Sequence, residues 1–330
     1  MGRPLWQPPT VLFRPRDVGV APDVLRRAVA RGDVIRIVRG VYLATAQQPS
    51  DARERHALSI AATQMLRPDL VASHTSAALL LGLPLLDGPS AAAGMPTFTR
   101  SPTPTRRSGG NPRIVLRALP PAAVSTVSHP LAGDVRVTSA ARTAVDLACE
   151  LPLAEALMVS DTVARASLAG HVSAGNLRGP RNQRIHYLAA RTLQEACVTP
   201  LHWQRAASRV IGLTDPRRES PAESLSYGRI VEAGMVAPDC QRGFTLPGGS
   251  VYVDFWWDEF GVAGECDGRA KYDGTFGADD GVLVREAERQ HQLQQAGVEV
   301  IRWQARDMMY RPAPVLARIA ARLRAHGWVG

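Results

Sequence analysis

Closely spaced cysteines are missing from this chain. Cys149, Cys197, Cys240 and Cys266 are scattered with no CxxC pair. That pattern argues against a disulfide framework and against a zinc site, and it suits a reducing cytoplasm. Long apolar runs are missing too, since none approaches the roughly 18 to 20 residues needed to cross a bilayer. The opening MGRPLWQPPT has no apolar core of the signal-peptide kind. The expectation is a soluble cytoplasmic protein with no membrane partner. No internal repeat is evident. What the chain does have is length and positive charge: 330 residues, 45% hydrophobic, 21% charged, with a formal net charge of +9. Such a length allows two or three domains, each able to bury a core. The basic balance favours a polyanionic partner, most simply nucleic acid.

The densest potential chemistry lies in GSVYVDFWWDEFGVAGECDGRAKY, residues Gly249 to Tyr272. Val251, Val253, Phe255 and Trp257 alternate as a half-buried strand requires, and Val262 to Cys266 reads as the returning strand. A four-residue turn at Asp258-Glu259-Phe260-Gly261 sets Asp254 opposite Glu265. Like charges directly opposed on a sheet are destabilising. Asp267 points to the same face as Glu265, because the strand period is two, so three carboxylates converge on one patch. A divalent cation with oxygen ligands is the natural compensation, and a raised carboxyl pKa the lesser one. Lys271 follows just beyond the strand. Carboxylates with a nearby lysine can hold a metal, generate a hydroxide and neutralise charge building on phosphorus, which is phosphodiester hydrolysis. A loop one residue shorter or longer would instead separate Asp254 from Glu265 and leave a solvated acidic hairpin.

The run Glu219-Ser-Pro-Ala-Glu-Ser224, then VAPDCQ, VDFWW, GECDGRAKY, RQHQL and VEVIRW resembles the Vsr-like endonuclease domain of the PD-(D/E)XK nuclease superfamily over about residues 219 to 310. The resemblance implies a mixed sheet flanked by helices and a Mg²⁺ or Mn²⁺ cofactor. It implies that Asp254, Glu265 and the helix acid Glu223 hold the metal, with Asp267 as further ligand or base. One departure is plain: the superfamily's D/E-x-K places lysine two residues after the acid, where this chain has Asp267, and the basic residue is displaced to Lys271. Downstream, Arg285, Arg289 and Gln292 share a helical face that is either solvated or directed at phosphates.

Near the N-terminus, Arg14 to Val18 reads as a short helix, Gly19-Val20 as a turn, and Pro22 to Arg31 as a helix ended by Gly32. Leu25, Ala28 and Val29 are expected inward. Val34 to Val38 and Val41 to Leu43 form a two-stranded wing, completing a winged helix-turn-helix. Arg26, Arg27 and Arg31 would face duplex DNA from the helix, with Arg14, Arg16, Arg36 and Arg39 on its flanks, opposed only by Asp17, Asp23 and Asp33. The motifs GDVIRIVRGVYL, SHTSAALLLGLP and TSAARTAVDLA are similar to AbiEi-type antitoxins over about residues 10 to 165. That resemblance implies a protein partner from a toxin-antitoxin or defence system.

The middle of the chain reads as helical and apolar in blocks. Helices are expected over Ala52 to Leu66 and from Ser73, a flexible connector over Ser101 to Pro112, and a Ser139-capped helix after the strand at Val135. His74 reads as a satisfied histidine at the start of a helix, and Arg142 with Asp146 as a local ion pair. Asp215 to Pro221 is the sharpest boundary. The whole predicts an α/β (α+β multidomain) chain: residues 1–50 a winged helix-turn-helix, 51–214 a mixed helical middle region, and 215–330 a restriction-endonuclease-like mixed sheet flanked by helices. Two functions fit: a DNA endonuclease, or a non-catalytic DNA-binding regulator with an inert nuclease fold.

Overall fold

A proline at the first helical position and a left-handed Gly32 at the end delimit helix α1 (Pro22–Arg31), as its sequence requires. Leu25 and Ala28 are buried against Phe13 and Val34. Val29, expected inward, is instead 41% exposed and borders a surface groove with Arg26 and Arg36. Strands β1 (Val34–Val38) and β2 (Val41–Ala44) pair antiparallel, forming the expected hairpin. Residues 15–19 form turns, and the helix expected over Arg14 to Val18 is absent. Pro15 lacks an N–H, and Arg14 is tied to the Asp17 carboxylate and to the Met65 carbonyl. One helix and a hairpin therefore stand where a helix-turn-helix was expected.

This computed structural model describes residues 6–86, 94–101, 112–197, 204–247, 249–268, 288 and 290–330. Lys271, Arg285, Arg289, the glycine-rich run 273–281 and most of the connector 101–112 lie outside the described residues. The chain is a mixed α/β protein that divides into two compact units, Met1–Asp146 and Leu147–Gly330.

In the first unit, α2 (Ala52–Leu66) is capped by the Asp51 side chain. β3 (Val71–Ala72), α3 (His74–Leu80), β4 (Thr97–Arg100), β5 (Arg113–Leu116), β6 (Val124–His129) and β7 (Gly133–Thr138) follow. The sheet runs β5-β4-β3-β7-β6 and is mixed. Leu58, Ile60, Leu70, Phe98, Val135 and Val137 form its core. The Ser139 hydroxyl accepts from the Arg142 N–H, at the start of α4 (Ala140–Ala148), as expected. Arg142 and Asp146 do pair, at 3.0 Å, but at 1% and 0% side-chain exposure, and Arg117 reaches the same carboxylate oxygen at 2.9 Å. A buried triad replaces the surface pair that helical spacing alone describes, because α4 turns this face into the unit's interior. His74 is buried at the start of α3, bonded to Ser73, with a left-handed φ of 53°.

Helix α5 (Leu153–Ser167) is buried on most of its surface and forms the spine of the second unit. α6 (Gln183–Ala196), α7 (Gln204–Leu213) and α8 (Pro221–Glu232) follow it. α8 crosses α5 closely at Gly228, where a Cβ would lie 2.3 Å from the Ala154 Cα, so only glycine permits the approach. The sheet is β11-β10-β9-β8, built from β8 (Asp239–Leu246), β9 (Gly249–Trp257), β10 (Val262–Asp267) and β11 (Glu299–Gln304). β8, β9 and β10 are antiparallel neighbours, and β10 runs parallel to β11. α9 (Ala305–Tyr310) and α10 (Pro312–Ala325) end the chain.

Residues 147–214 belong to this unit, and the boundary read at Asp215 falls inside it. Arg218 grips Asp161 through two hydrogen bonds, of 2.6 and 3.0 Å. Arg217 bonds Asp215 and Asp239 at 2.8 and 2.7 Å. Proline and charge at 215–221 mimic a linker in sequence, whereas here each buried charge has its counter-charge.

Candidate functional site

The hairpin β9–β10 has the expected register, Trp257 opposite Val262, Trp256 opposite Ala263 and Phe255 opposite Gly264. Its loop is a helical turn over Asp258–Phe260 closed by Gly261 at φ 62°. The same register places Asp254 across from Glu265, but the backbone ladder stops one residue earlier. There the Asp254 carboxylate takes over, with Oδ2 accepting the Cys266 N–H at 2.8 Å.

The pleat is interrupted at this point. Val253 and Trp256 sit in one apolar cluster with Phe244, Val251 and Leu293, although strict alternation puts residues three apart on opposite faces. Phe255 instead stacks on Trp303, with ring centroids 5.3 Å apart. Uniform alternation of Val251, Val253, Phe255 and Trp257 therefore does not hold. Across the interruption, on β8, buried Gln241 has a left-handed φ of 53°. Strained non-glycine backbone of this kind persists only where its surroundings over-determine it.

Gln241 connects two of the acids. Its amide Nε2 donates to Glu223 Oε2 at 3.2 Å and to Asp254 Oδ1 at 3.3 Å, so these oxygens lie within two hydrogen-bond lengths of each other. Glu223 is delivered by the start of α8. Ser220 caps the helix by accepting the Glu223 N–H, while the Glu223 carboxylate accepts from Ser220 Oγ at 2.8 Å and Glu219 N at 2.9 Å. Such reciprocal capping pins the carboxylate to the backbone. Burial pushes the Glu223 pKa above the ordinary carboxylate range, and these hydrogen bonds oppose the rise only in part.

Glu265 is buried on β10 and pairs with Arg302, its register neighbour on β11, at 3.0 Å. Asp267 ends β10 opposite Gln304. Burial pushes the Cys266 thiol up to about 12, and the charges of Asp254, Glu223 and Asp267 add to the rise. Three of the predicted carboxylates thus act electrostatically on one thiol. Among the described residues no group of three or more His, Cys, Asp and Glu side chains is arranged to hold a metal ion. Gln241 separates two of the acids, and Glu265 is turned to Arg302. Lys271, outside the described residues, is the sole lysine of the sequence.

Sequence reasoning missed Gln241 and Arg302. A Ser-x-x-Glu box at 220–223 was there to be read for the Glu223 geometry, but nothing local marks Gln241 as the bridge.

The N-terminal arginines divide by pairing. Arg27 meets Asp23 at 2.6 Å, Arg31 meets Asp33 at 2.7 Å, and Arg14 meets Asp17 at 2.5 Å. Arg26, Arg36 and Arg39 are exposed and have no ion-pair partner among the described residues. Arg26 and Arg36 flank a surface groove of about 700 Å³ with Val29 and Tyr42. Among the described residues no helix is long and apolar enough to cross a membrane. No family model and no curated protein matches the chain.

Proposed function

We propose that the chain binds duplex DNA through its N-terminal arginines and hydrolyses DNA phosphodiester bonds at the Glu223, Asp254 and Glu265 cluster. The observation that carries this reading is the meeting of Glu223 and Asp254 across one amide, beside Glu265 and Asp267, at an interruption in the sheet. The resemblance of residues 219–310 to Vsr-like endonucleases supports it, as does that of residues 10–165 to AbiEi-type antitoxins with their winged-helix fold. Mg²⁺ commonly takes only one or two protein carboxylates, and completes its shell with water and substrate phosphate. Glu223 and Asp254 suit that need. A half-turn of the Gln241 amide exchanges its nitrogen for oxygen and adds a third hard ligand. Such an ion would supply an activated water and charge neutralisation. The pinned Glu223 and Asp254 carboxylates would fix its position, Asp267 would act as further ligand or base, and Lys271 would offset charge accumulating on phosphorus. Beside the cluster, exposed Arg242 and Tyr252 line a groove of about 370 Å³ suited to a phosphate backbone, while Arg178 on the same groove is paired with Glu219 at 2.8 Å.

The test is incubation of the full chain with supercoiled and linear duplex DNA in Mg²⁺ or Mn²⁺. Cleavage that chelator abolishes supports the reading. A second reading, a DNA-binding regulator or antitoxin-like protein with an inert nuclease fold, is favoured by Arg302, which neutralises Glu265, and by the Gln241 amide, which hydrogen-bonds Glu223 and Asp254 without a metal. Bound but uncut DNA would select it.

Salt dependence tests the N-terminal surface separately. Alanine at Arg26, Arg36 and Arg39 should flatten the slope of log affinity against log salt by roughly 0.9 per lost phosphate contact. Alanine at Arg27 and Arg31 should change it less, because Asp23 and Asp33 already neutralise them. Equal slopes for all variants would remove this surface from the DNA interface.

A further inference from the structure

Glu265 and Arg302 are brought together by the sheet itself. The parallel ladder of β10 and β11 sets Glu265 beside Arg302 and Asp267 beside Gln304, so two acids share a face with an arginine and an amide. Arg302 Nη2 meets Glu265 Oε2 at 3.0 Å. The partners differ in exposure. Glu265 keeps only 8% of its side chain accessible, whereas Arg302 keeps 27% and can be reached from solvent. The pair also stands beside the other acids, since the β9–β10 register brings Asp254 across from Glu265 and Asp254 Oδ2 accepts the Cys266 N–H.

A divalent cation on Glu265 Oε2 would sit about 2 Å from that oxygen, and hence within roughly 5 Å of the guanidinium. Two positive groups that close repel strongly in a partly buried site. Arg302 and a metal ion are therefore competitors for Glu265. A guanidinium binds phosphate oxygens as well as carboxylate, often as a bidentate fork, and its three-carbon stem can swing between the two. A DNA phosphate arriving at the cluster can thus draw Arg302 away and leave Glu265 to the ion.

We propose that Arg302 is an electrostatic latch on the acid cluster. It occupies Glu265 while no DNA is bound, and a DNA phosphate releases it, so that metal binding and duplex binding are coupled. The latch rests on the metal-dependent reading of the cluster and gives that site its regulation.

The experiment follows Mn²⁺ binding to the full chain by electron paramagnetic resonance, with and without a duplex of phosphorothioate linkages, corrected for Mn²⁺ held by the duplex alone. Without DNA, Arg302→Gln should bind Mn²⁺ about tenfold tighter than the wild type, because a like charge beside the ion is gone. Arg302→Lys, which keeps the charge, should bind as the wild type does. The gain should vanish when Glu265→Gln is added to Arg302→Gln, because Glu265 is the ligand the latch withholds. Duplex should tighten Mn²⁺ binding to the wild type by roughly tenfold, and Mn²⁺ should tighten duplex binding by the same factor, as linkage requires. In Arg302→Gln that coupling should largely disappear. Should this variant not fold, Glu265→Gln alone must weaken Mn²⁺ binding in the duplex complex and not in the free chain. Equal Mn²⁺ affinity of wild type and Arg302→Gln, a gain that survives in the double variant, or undiminished coupling in Arg302→Gln would each overturn the latch, while chelator-sensitive cleavage would still uphold the nuclease reading. No Mn²⁺ bound by any variant, together with no cleavage, would remove both.

Discussion

Asp254→Asn is expected to lower phosphodiester cleavage by about a hundredfold or more, the scale of losing one preorganised electrostatic element, with little change in fold. Asparagine keeps the shape of the side chain. Its oxygen can still accept the Cys266 N–H, while Gln241 keeps its hydrogen bond to Glu223. What disappears is the negative charge beside Glu223. Duplex binding should persist, because the unpaired arginines Arg26, Arg36 and Arg39 belong to the other compact unit. Cleavage at the wild-type rate in Asp254→Asn, with its melting temperature intact, would take Asp254 out of the chemistry. The pH profile adds a second check. Glu223 must be ionised to act as ligand, and its pKa lies above the ordinary 4.5, so activity should be lost as pH falls through that raised value. An acid limb at or below 4.5 would show that Glu223 only caps its helix.

Arg218→Met should destabilise the second unit by about 3–5 kcal/mol, the scale of breaking a buried ion pair. Arg218 and Asp161 each have 1% side-chain exposure. The guanidinium also donates to the Leu213 carbonyl at 2.6 Å and lies 4.2 Å above the Tyr227 ring. Removing it strands a carboxylate at the centre of α5 with the Asp215 N–H, at 2.8 Å, and the Ser224 hydroxyl as remaining partners and no counter-charge from Arg218. Asp161→Leu combined with Arg218→Met should recover much of the loss, since the cost lies in the orphaned charge. Burial already holds the Asp161 pKa above 3.8. A carboxyl raised in the folded state contributes stability below its unfolded pKa and loses it as pH rises through the folded value. Without Arg218 the folded pKa rises further. The deficit should accordingly be greatest at neutral pH and shrink on acidification, as chemical denaturation at several pH values would report. A pH-independent deficit, or no rescue in the double variant, would mean that Arg218 acts through packing on Tyr227 alone.

Local features of the candidate site were legible in the sequence. Period-two spacing and a four-residue loop gave the β9–β10 register, and with it the opposition of Asp254 and Glu265. Proline at the start of α8 marked the helix that carries Glu223. The break in the pleat was not legible, because Val251 to Trp257 alternate just as a regular strand does, and the left-handed Gln241 that faces the break lies on the neighbouring strand.

Chain geometry acts over a few residues, and so sequence by itself determined α1, the β1–β2 hairpin, the cap of α4 at Ser139 and the acidic β9–β10 hairpin. Only the tertiary structure decided which partner each charge meets. Arg302 reaches Glu265 through a parallel strand pair. Gln241 stands between Glu223 and Asp254 because β8 lies against β9. Asp215, Arg217 and Arg218, a linker by composition, became a buried ionic node once α8 crossed α5 at Gly228. The physical reason is that a charge's cost and role are set by its burial and its counter-charge, and both depend on packing between segments far apart in the chain.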